Sequence, residues 1–139
     1  MRHIQIPQYI AEALFQQARE ELPHEACGLL TGRDERVEKH YPMVNVDHSA
    51  EHFSFDPQEQ FDVLKAARAT GQKILANYHS HPSSPARPSK EDIRLAYDPS
   101  VVYIIVSLAA ETPDIKAFHI RNGEAVSIPI ILSEDIYWS

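Results

Sequence analysis

Eight consecutive residues, 101–108 (VVYIIVSL), carry no charge and are mostly β-branched or aromatic. Such a run cannot alternate between core and water, so it predicts a strand covered on both faces, and both coverings must come from elsewhere in the chain. Three segments have the spacing to supply them. Residues 8–21 place Ile10, Leu14 and Ala18 four apart on one helical face, with Pro7 where a first-turn proline is tolerated and Leu22-Pro23 as the stop. A second helix opens at Asp56-Pro57, carries Phe61, Leu64 and Ala67 at helical spacing, and stops at Gly71. A third, short one begins at Ser89 (SKEDIRLAY) and is closed by Asp98-Pro99.

Further strands are read at CGLLTG (27–32), as one or two within residues 35–46, and at KILANYH (73–79), which runs into the polar loop HPSSPARP. IKAFHIR and EAVSIPIIL flank Asn122-Gly123, a strong hairpin signal. Strands interleaved with about three helices predict an α/β fold, a mixed β-sheet flanked by helices, in a single domain over residues 1–139.

The balance of charge narrows the function. Lys+Arg 13 against Asp+Glu 20 gives a formal charge of -7 with no basic tract, which argues against nonspecific binding to nucleic acid. The single cysteine, Cys27, excludes an intramolecular disulfide and a cysteine-rich zinc site. It precedes Gly-Leu-Leu in an apolar segment and reads as an inert packing residue rather than a nucleophile. The start of the chain lacks the apolar core of a signal peptide, and the longest apolar run is too short to cross a bilayer. A cytoplasmic, membrane-free protein is the expectation. Tyr137 and Trp138 are expected to pack on the domain, with binding of a partner as the alternative.

Chemistry concentrates in His79-Ser80-His81-Pro82 and Ser89-Lys90-Glu91-Asp92. On an extended chain residues i and i+2 point the same way, so His79 and His81 can present both imidazoles to one point. Asp92 falls in the first turn of a helix, where its carboxylate can face back toward the strand end. Two imidazoles and a carboxylate make a three-ligand zinc site with the fourth position open for water. Each half also has a plain structural reading. Ser89-x-x-Asp92 resembles a capping box, and His-x-His can be solvated loop residues. Their order after a buried strand favours the metal, and capping and ligation are compatible.

With these residues in place, HSHPSSPARPSKED resembles the His-x-His-Pro, six-residue, Ser-x-x-Asp signature of the JAMM (MPN-plus) metalloproteases. PHEACGLLTG resembles the family segment in which a glutamate precedes a Cys/Gly-Leu-Leu strand. Asn45 followed by HFSFDPQEQ is similar to the stretch entering the family's central helix. The resemblance implies a JAMM/MPN domain, a fold of the general kind also used by cytidine deaminases. It further implies one zinc ion per chain on His79, His81 and Asp92, Glu25 as general base, and Ser89 as an oxyanion-stabilising hydroxyl.

Substrate follows from compactness. Only 53 residues separate Glu25 from His79 and 47 follow Asp92, which leaves little room for the insertions with which larger relatives grip two ubiquitins. The chain resembles the stand-alone prokaryotic members, which implies cleavage after the C-terminal Gly-Gly of a small ubiquitin-like sulfur-carrier protein. Two rivals are a RadC-like DNA-repair-associated protein and a catalytically inactive MPN scaffold. Glu25-Ala-Cys-Gly-Leu-Leu and the acidic charge weigh against the first, and the full set of ligands against the second. A zinc deaminase would need paired cysteines. Whether the chain forms a homodimer is left open.

Overall fold

The computed structural model describes residues 1–134. Its elements, in chain order, are β1 (Ile4–Pro7), α1 (Gln8–Glu20), β2 (Cys27–Arg33), β3 (Arg36–Met43), α2 (Pro57–Ala69), β4 (Lys73–His81), α3 (Lys90–Arg94), β5 (Val102–Ser107), β6 (Asp114–Arg121), β7 (Glu124–Ile128) and β8 (Ile130–Ser133). The strands form one mixed sheet in the order β7-β6-β5-β4-β2-β3-β1-β8. This is the α/β architecture expected from the sequence. Tyr137 and Trp138 lie outside the described residues.

The long apolar run becomes β5, buried at every position. It pairs in parallel with β4 and antiparallel with β6. Its alternate residues Val102, Ile104 and Val106 join Ile10, Leu14 and Ala18 of α1, together with Leu30, Ala76 and Tyr78, in one core. On the opposite face Tyr103 and Ile105 pack with Phe118 and Ala86, with Ile93 of α3 against them. Cys27, Leu29 and Met43 pack there with Val63 of α2.

Several local expectations need correction. β1 was not foreseen: four residues, IQIP, are too short to show a period. Of the one or two strands read within residues 35–46 one is present, β3, and only its end at Met43 falls short of the range. β4 extends two residues beyond His79, so His81 lies on the strand instead of in the loop. α3 spans only Lys90–Arg94 and buries none of its residues. On α2 the buried residues are Val63 and Ala67, while Phe61 is 52% exposed with the Lys65 ammonium over its ring. Two candidate stripes run along that helix, and spacing alone cannot choose between them. EAVSIPIIL is broken at Pro129. β7 stays with β6, whereas β8 crosses to pair in parallel with β1 at the other end of the sheet order. The Ile4 N–H donates to the Pro129 carbonyl at 3.1 Å, tying the crossing point to β1.

The hairpin turn at Asn122-Gly123 has φ of 51° and 76°, the left-handed pair that a two-residue hairpin needs. Gly28 has a different task. A Cβ there would lie 2.2 Å from the Tyr78 hydroxyl and 2.5 Å from the Tyr41 carbonyl. Tyr78 is fully buried and donates to Gln17 Oε1 at 2.6 Å, and Gln17 Nε2 donates to the Cys27 carbonyl at 3.0 Å, so the ring cannot step aside cheaply. Gly28→Ala is therefore expected to destabilise the metal-free protein by about 1–3 kcal/mol or more, the usual cost of overpacking. Denaturant titration of the variant checks this, and an unchanged midpoint contradicts it.

Candidate active site

The two-residue alternation of β4 sends Ala76 and Tyr78 to the α1 face, and His79 and His81 to the face covered by α2 and the 82–94 segment. Both imidazoles are buried, at 2% and 4% exposure. Asp92 comes from the first turn of α3, which a complete capping box starts. The Ser89 Oγ accepts the Asp92 N–H at 3.0 Å, and the Ser89 N–H donates to Asp92 Oδ2 at 2.9 Å. That same Oδ2 lies 3.1 Å from His79 Nε2 and 3.0 Å from His81 Nε2, and the two Nε2 atoms are 3.2 Å apart. Capping and convergence on the histidines thus occur together.

His81 Nδ1–H donates to the Pro85 carbonyl at 2.8 Å, so the neutral ring carries its lone pair on Nε2. Burial draws His79 below the usual imidazole value, keeping it neutral against the partial opposition of Asp92. For His81 burial acts in the same direction, but the hydrogen bonds to Asp92 and Pro85 and the charges of Asp92 and Glu25 outweigh it and raise the value. Burial pushes Asp92 up, yet its imidazole partners and the Ser89 N–H hold it well below the usual carboxylate range. Two imidazole nitrogens and a carboxylate oxygen thus meet 3.0–3.2 Å apart. A tetrahedron of ligands roughly 2.0–2.1 Å from zinc has edges of about 3.3 Å, so the donor set fits that ion in both chemistry and spacing. Among the described residues this is the only such group of three His, Cys, Asp or Glu donors.

Glu25 lies two residues before β2. Cys27 pairs with His79, the Ser80 N–H donates to the Ala26 carbonyl at 2.9 Å, and the Ala26 N–H donates to Ser80 Oγ at 2.7 Å. Glu25, one residue before Ala26, is near enough to His81 and Asp92 to interact electrostatically with both. Its side chain is 2% exposed, and Oε1 has no hydrogen-bond partner among the described residues. Burial pushes its carboxyl up to about 8, with Asp92, Glu91 and Glu51 adding to the rise and His81 opposing it. Cys27 is buried and its thiol is pushed up to about 12, as befits a packing residue.

Two residues had no assigned role in the sequence. Asn45, 4% exposed, donates through Nδ2 to the carbonyls of Glu25 at 3.1 Å and His52 at 3.0 Å, and accepts at Oδ1 from the Asp47 N–H at 3.1 Å. The Glu25 N–H in turn donates to the Ser49 carbonyl at 2.7 Å. The 45–54 loop is thereby fastened over Glu25, and Phe53 within it stacks on His79. A lone asparagine gives no spacing signal. The alternation Phe53, Phe55 was the one hint that part of this loop faces inward.

The family model for prokaryotic homologs of the JAB domain matches residues 7–121. The chain belongs to this family. It is 31% identical over 128 residues to the CysO-cysteine peptidase of Mycobacterium tuberculosis, covering 90% of this chain and 88% of that one. It is 35% identical to a probable TtuB-protein conjugate cleaving protease of Thermus thermophilus, covering 88% of this chain and 82% of that one. Among solved structures, a protein from Desulfitobacterium hafniense superimposes with a TM-score of 0.88 at 46% identity, covering 96% of this chain and 94% of that one. The fold is also that of a JAB1/MPN domain protein from Archaeoglobus fulgidus, with a TM-score of 0.62 at 23% identity over 94% of this chain and all of that one. This prokaryotic JAB protein is a peptidase of the JAMM/MPN metalloprotease type.

The raised Glu25 value has a consequence for stability. A carboxyl that stands at about 8 when folded and near 4.5 when unfolded ionises first in the unfolded chain, so its contribution to stability falls as pH rises from 4.5 to 8. Metal-free Glu25→Gln is expected to melt close to wild type near about pH 4 and a few degrees higher above about pH 8. Thermal unfolding by circular dichroism at the two pH values checks this; equal melting temperatures at the higher pH contradict it.

Proposed function

We propose that the chain is a zinc-dependent peptidase that hydrolyses the peptide or isopeptide bond after the C-terminal Gly-Gly of a small ubiquitin-like, sulfur-carrier-type protein. One zinc ion per chain is held by His79, His81 and Asp92. The observation that carries the reading is the meeting of His79 Nε2, His81 Nε2 and Asp92 Oδ2 within 3.2 Å of one another. The buried, partnerless carboxylate oxygen of Glu25 adds the group a hydrolase needs beside that point.

Bound zinc supplies a water acidified to a pKa of about 7 and a Lewis acid for the scissile carbonyl. The charge of that ion would draw the Glu25 carboxyl back down from the value of about 8 that burial gives it, so that ionised Glu25 would take a proton from the attacking water and pass it to the leaving amine as the C–N bond breaks. The Ser89 Oγ accepts the Asp92 N–H, which leaves its own hydrogen to donate to the oxyanion. The Gly-Gly tail lies extended and pairs as an added strand, where glycine suits a narrow approach.

The names of the two peptidase relatives, one acting on CysO-cysteine and one on TtuB conjugates, support a ubiquitin-like substrate. Those names and the intact donor set stand against the RadC-like and inactive-scaffold readings. A cytoplasmic location and function as a single domain belong to the same proposal. Among the described residues no helix is long and apolar enough to cross a membrane.

Wild-type protein loaded with zinc is expected to release the extension from a carrier ending in Gly-Gly plus a short peptide, seen by intact-mass spectrometry. Glu25→Gln should keep its zinc and slow cleavage about 10²–10⁴-fold. Asp92→Ala should lose stoichiometric zinc. Cleavage by Glu25→Gln at the wild-type rate contradicts the assigned base, and full zinc in Asp92→Ala contradicts the assigned ligand.

A further inference from the structure

The two histidines are held in different ways. His81 is fixed by its Nδ1–H bond to the Pro85 carbonyl. His79 Nδ1 is buried and makes no hydrogen bond among the described residues. The His79 ring instead lies against Phe53, with centroids 4.7 Å apart and planes 23° from parallel. The second torsion of a histidine is broad, so an imidazole without a hydrogen bond at Nδ1 has no fixed plane of its own. A flat neighbour supplies one.

Phe53 is itself well placed to do so. Phe55 packs on it at 5.4 Å and 58°, and both rings border the cluster of Cys27, Leu29, Met43 and Val63. The backbone on either side of Phe53 is bound by one buried side chain. Asn45 Nδ2 donates to the His52 carbonyl at 3.0 Å, and Asn45 Oδ1 accepts the Ser54 N–H at 3.4 Å. The ring is therefore carried by an anchored turn.

We infer that Phe53 is a positioning residue for His79: its stacked ring sets the imidazole plane so that Nε2 meets His81 Nε2 and Asp92 Oδ2. Stacking fixes the plane, and the Asp92 oxygen selects which of the two flips is used. A cation on Nε2 makes the imidazole electron-poor, and the negative face of a phenyl ring attracts such a ring more than a neutral one. The stack therefore favours the loaded site over the empty one. This inference rests on the zinc reading above.

Zinc affinity measured by competition with a chromophoric chelator tests it on wild type, Phe53→Leu and Phe53→Tyr. Leucine keeps apolar bulk and removes the ring, whereas tyrosine keeps the ring. Phe53→Met serves as a second ringless variant if Phe53→Leu does not fold, and melting of the metal-free forms reports folding separately. The ringless variant is expected to bind zinc roughly three- to tenfold more weakly. Phe53→Tyr is expected to match wild type. With cobalt in place of zinc, the visible spectrum should change in the ringless variant and not in Phe53→Tyr. A ringless variant that binds as tightly as wild type overturns the role of Phe53 alone, as does a Phe53→Tyr that falls equally far. A wild-type protein that binds no zinc overturns the zinc reading, and this inference with it.

Discussion

Everything at the site follows from the seating of β4 in the middle of a sheet covered on both faces. Successive side chains of a strand point to opposite sides, and a shift of one residue would exchange them all. Here Ala76 and Tyr78 are committed to the α1 core, where Tyr78 is locked by Gln17 and by the missing side chain at Gly28. The commitment leaves His79 and His81 no choice but the opposite face. The antiparallel ladder with β2 then sets which residue acts on them, because Cys27 opposite His79 and Ala26 bound to Ser80 hold the chain that brings Glu25 within electrostatic reach of His81. The apolar core is thus what sets the register of the polar site.

That site concentrates groups that burial disfavours in charged form. His79, His81, Asp92 and Glu25 sit close together, and Glu25 Oε1 and His79 Nδ1 have no hydrogen-bond partners among the described residues. Buried polar atoms in that state are costly unless something else compensates. A divalent cation on the three convergent donors would compensate them, since it would add positive charge beside the ionised Asp92 and favour the ionised form of Glu25, which burial alone disfavours. The capping box contributes as well. It directs Asp92 Oδ2 inward through the Ser89 N–H, so a device that starts a five-residue helix also delivers an acceptor to the histidines.

Features governed by short-range rules were legible in the sequence. The i, i+2 spacing of His79 and His81, the Ser89–Asp92 capping pattern, the Asn122-Gly123 hairpin and the apolar β5 all depend on neighbours a few residues away. Glu25 became legible only through family resemblance, because a carboxylate ahead of a strand carries no local mark and its partner His81 lies far along the chain. The same reason hid Asn45 and Phe53, whose roles depend on a loop folding back over β2 and β4. On α2 the spacing finds Ala67 but favours Phe61 beside it, and only packing against the sheet selects Val63 instead. Periodicity alone joins β8 to one long strand, because it does not register that Pro129 sends the chain to the far side of the sheet.

The proposed zinc is held by His79, His81 and Asp92 without help from the buried thiol of Cys27. X-ray absorption at the zinc edge of the loaded protein tests it most directly. The expected spectrum has about four nitrogen or oxygen neighbours near 2.0–2.1 Å, with the outer-shell scattering of two imidazoles and no sulfur. A sulfur neighbour at about 2.3 Å, or a spectrum without imidazole scattering, would contradict the account.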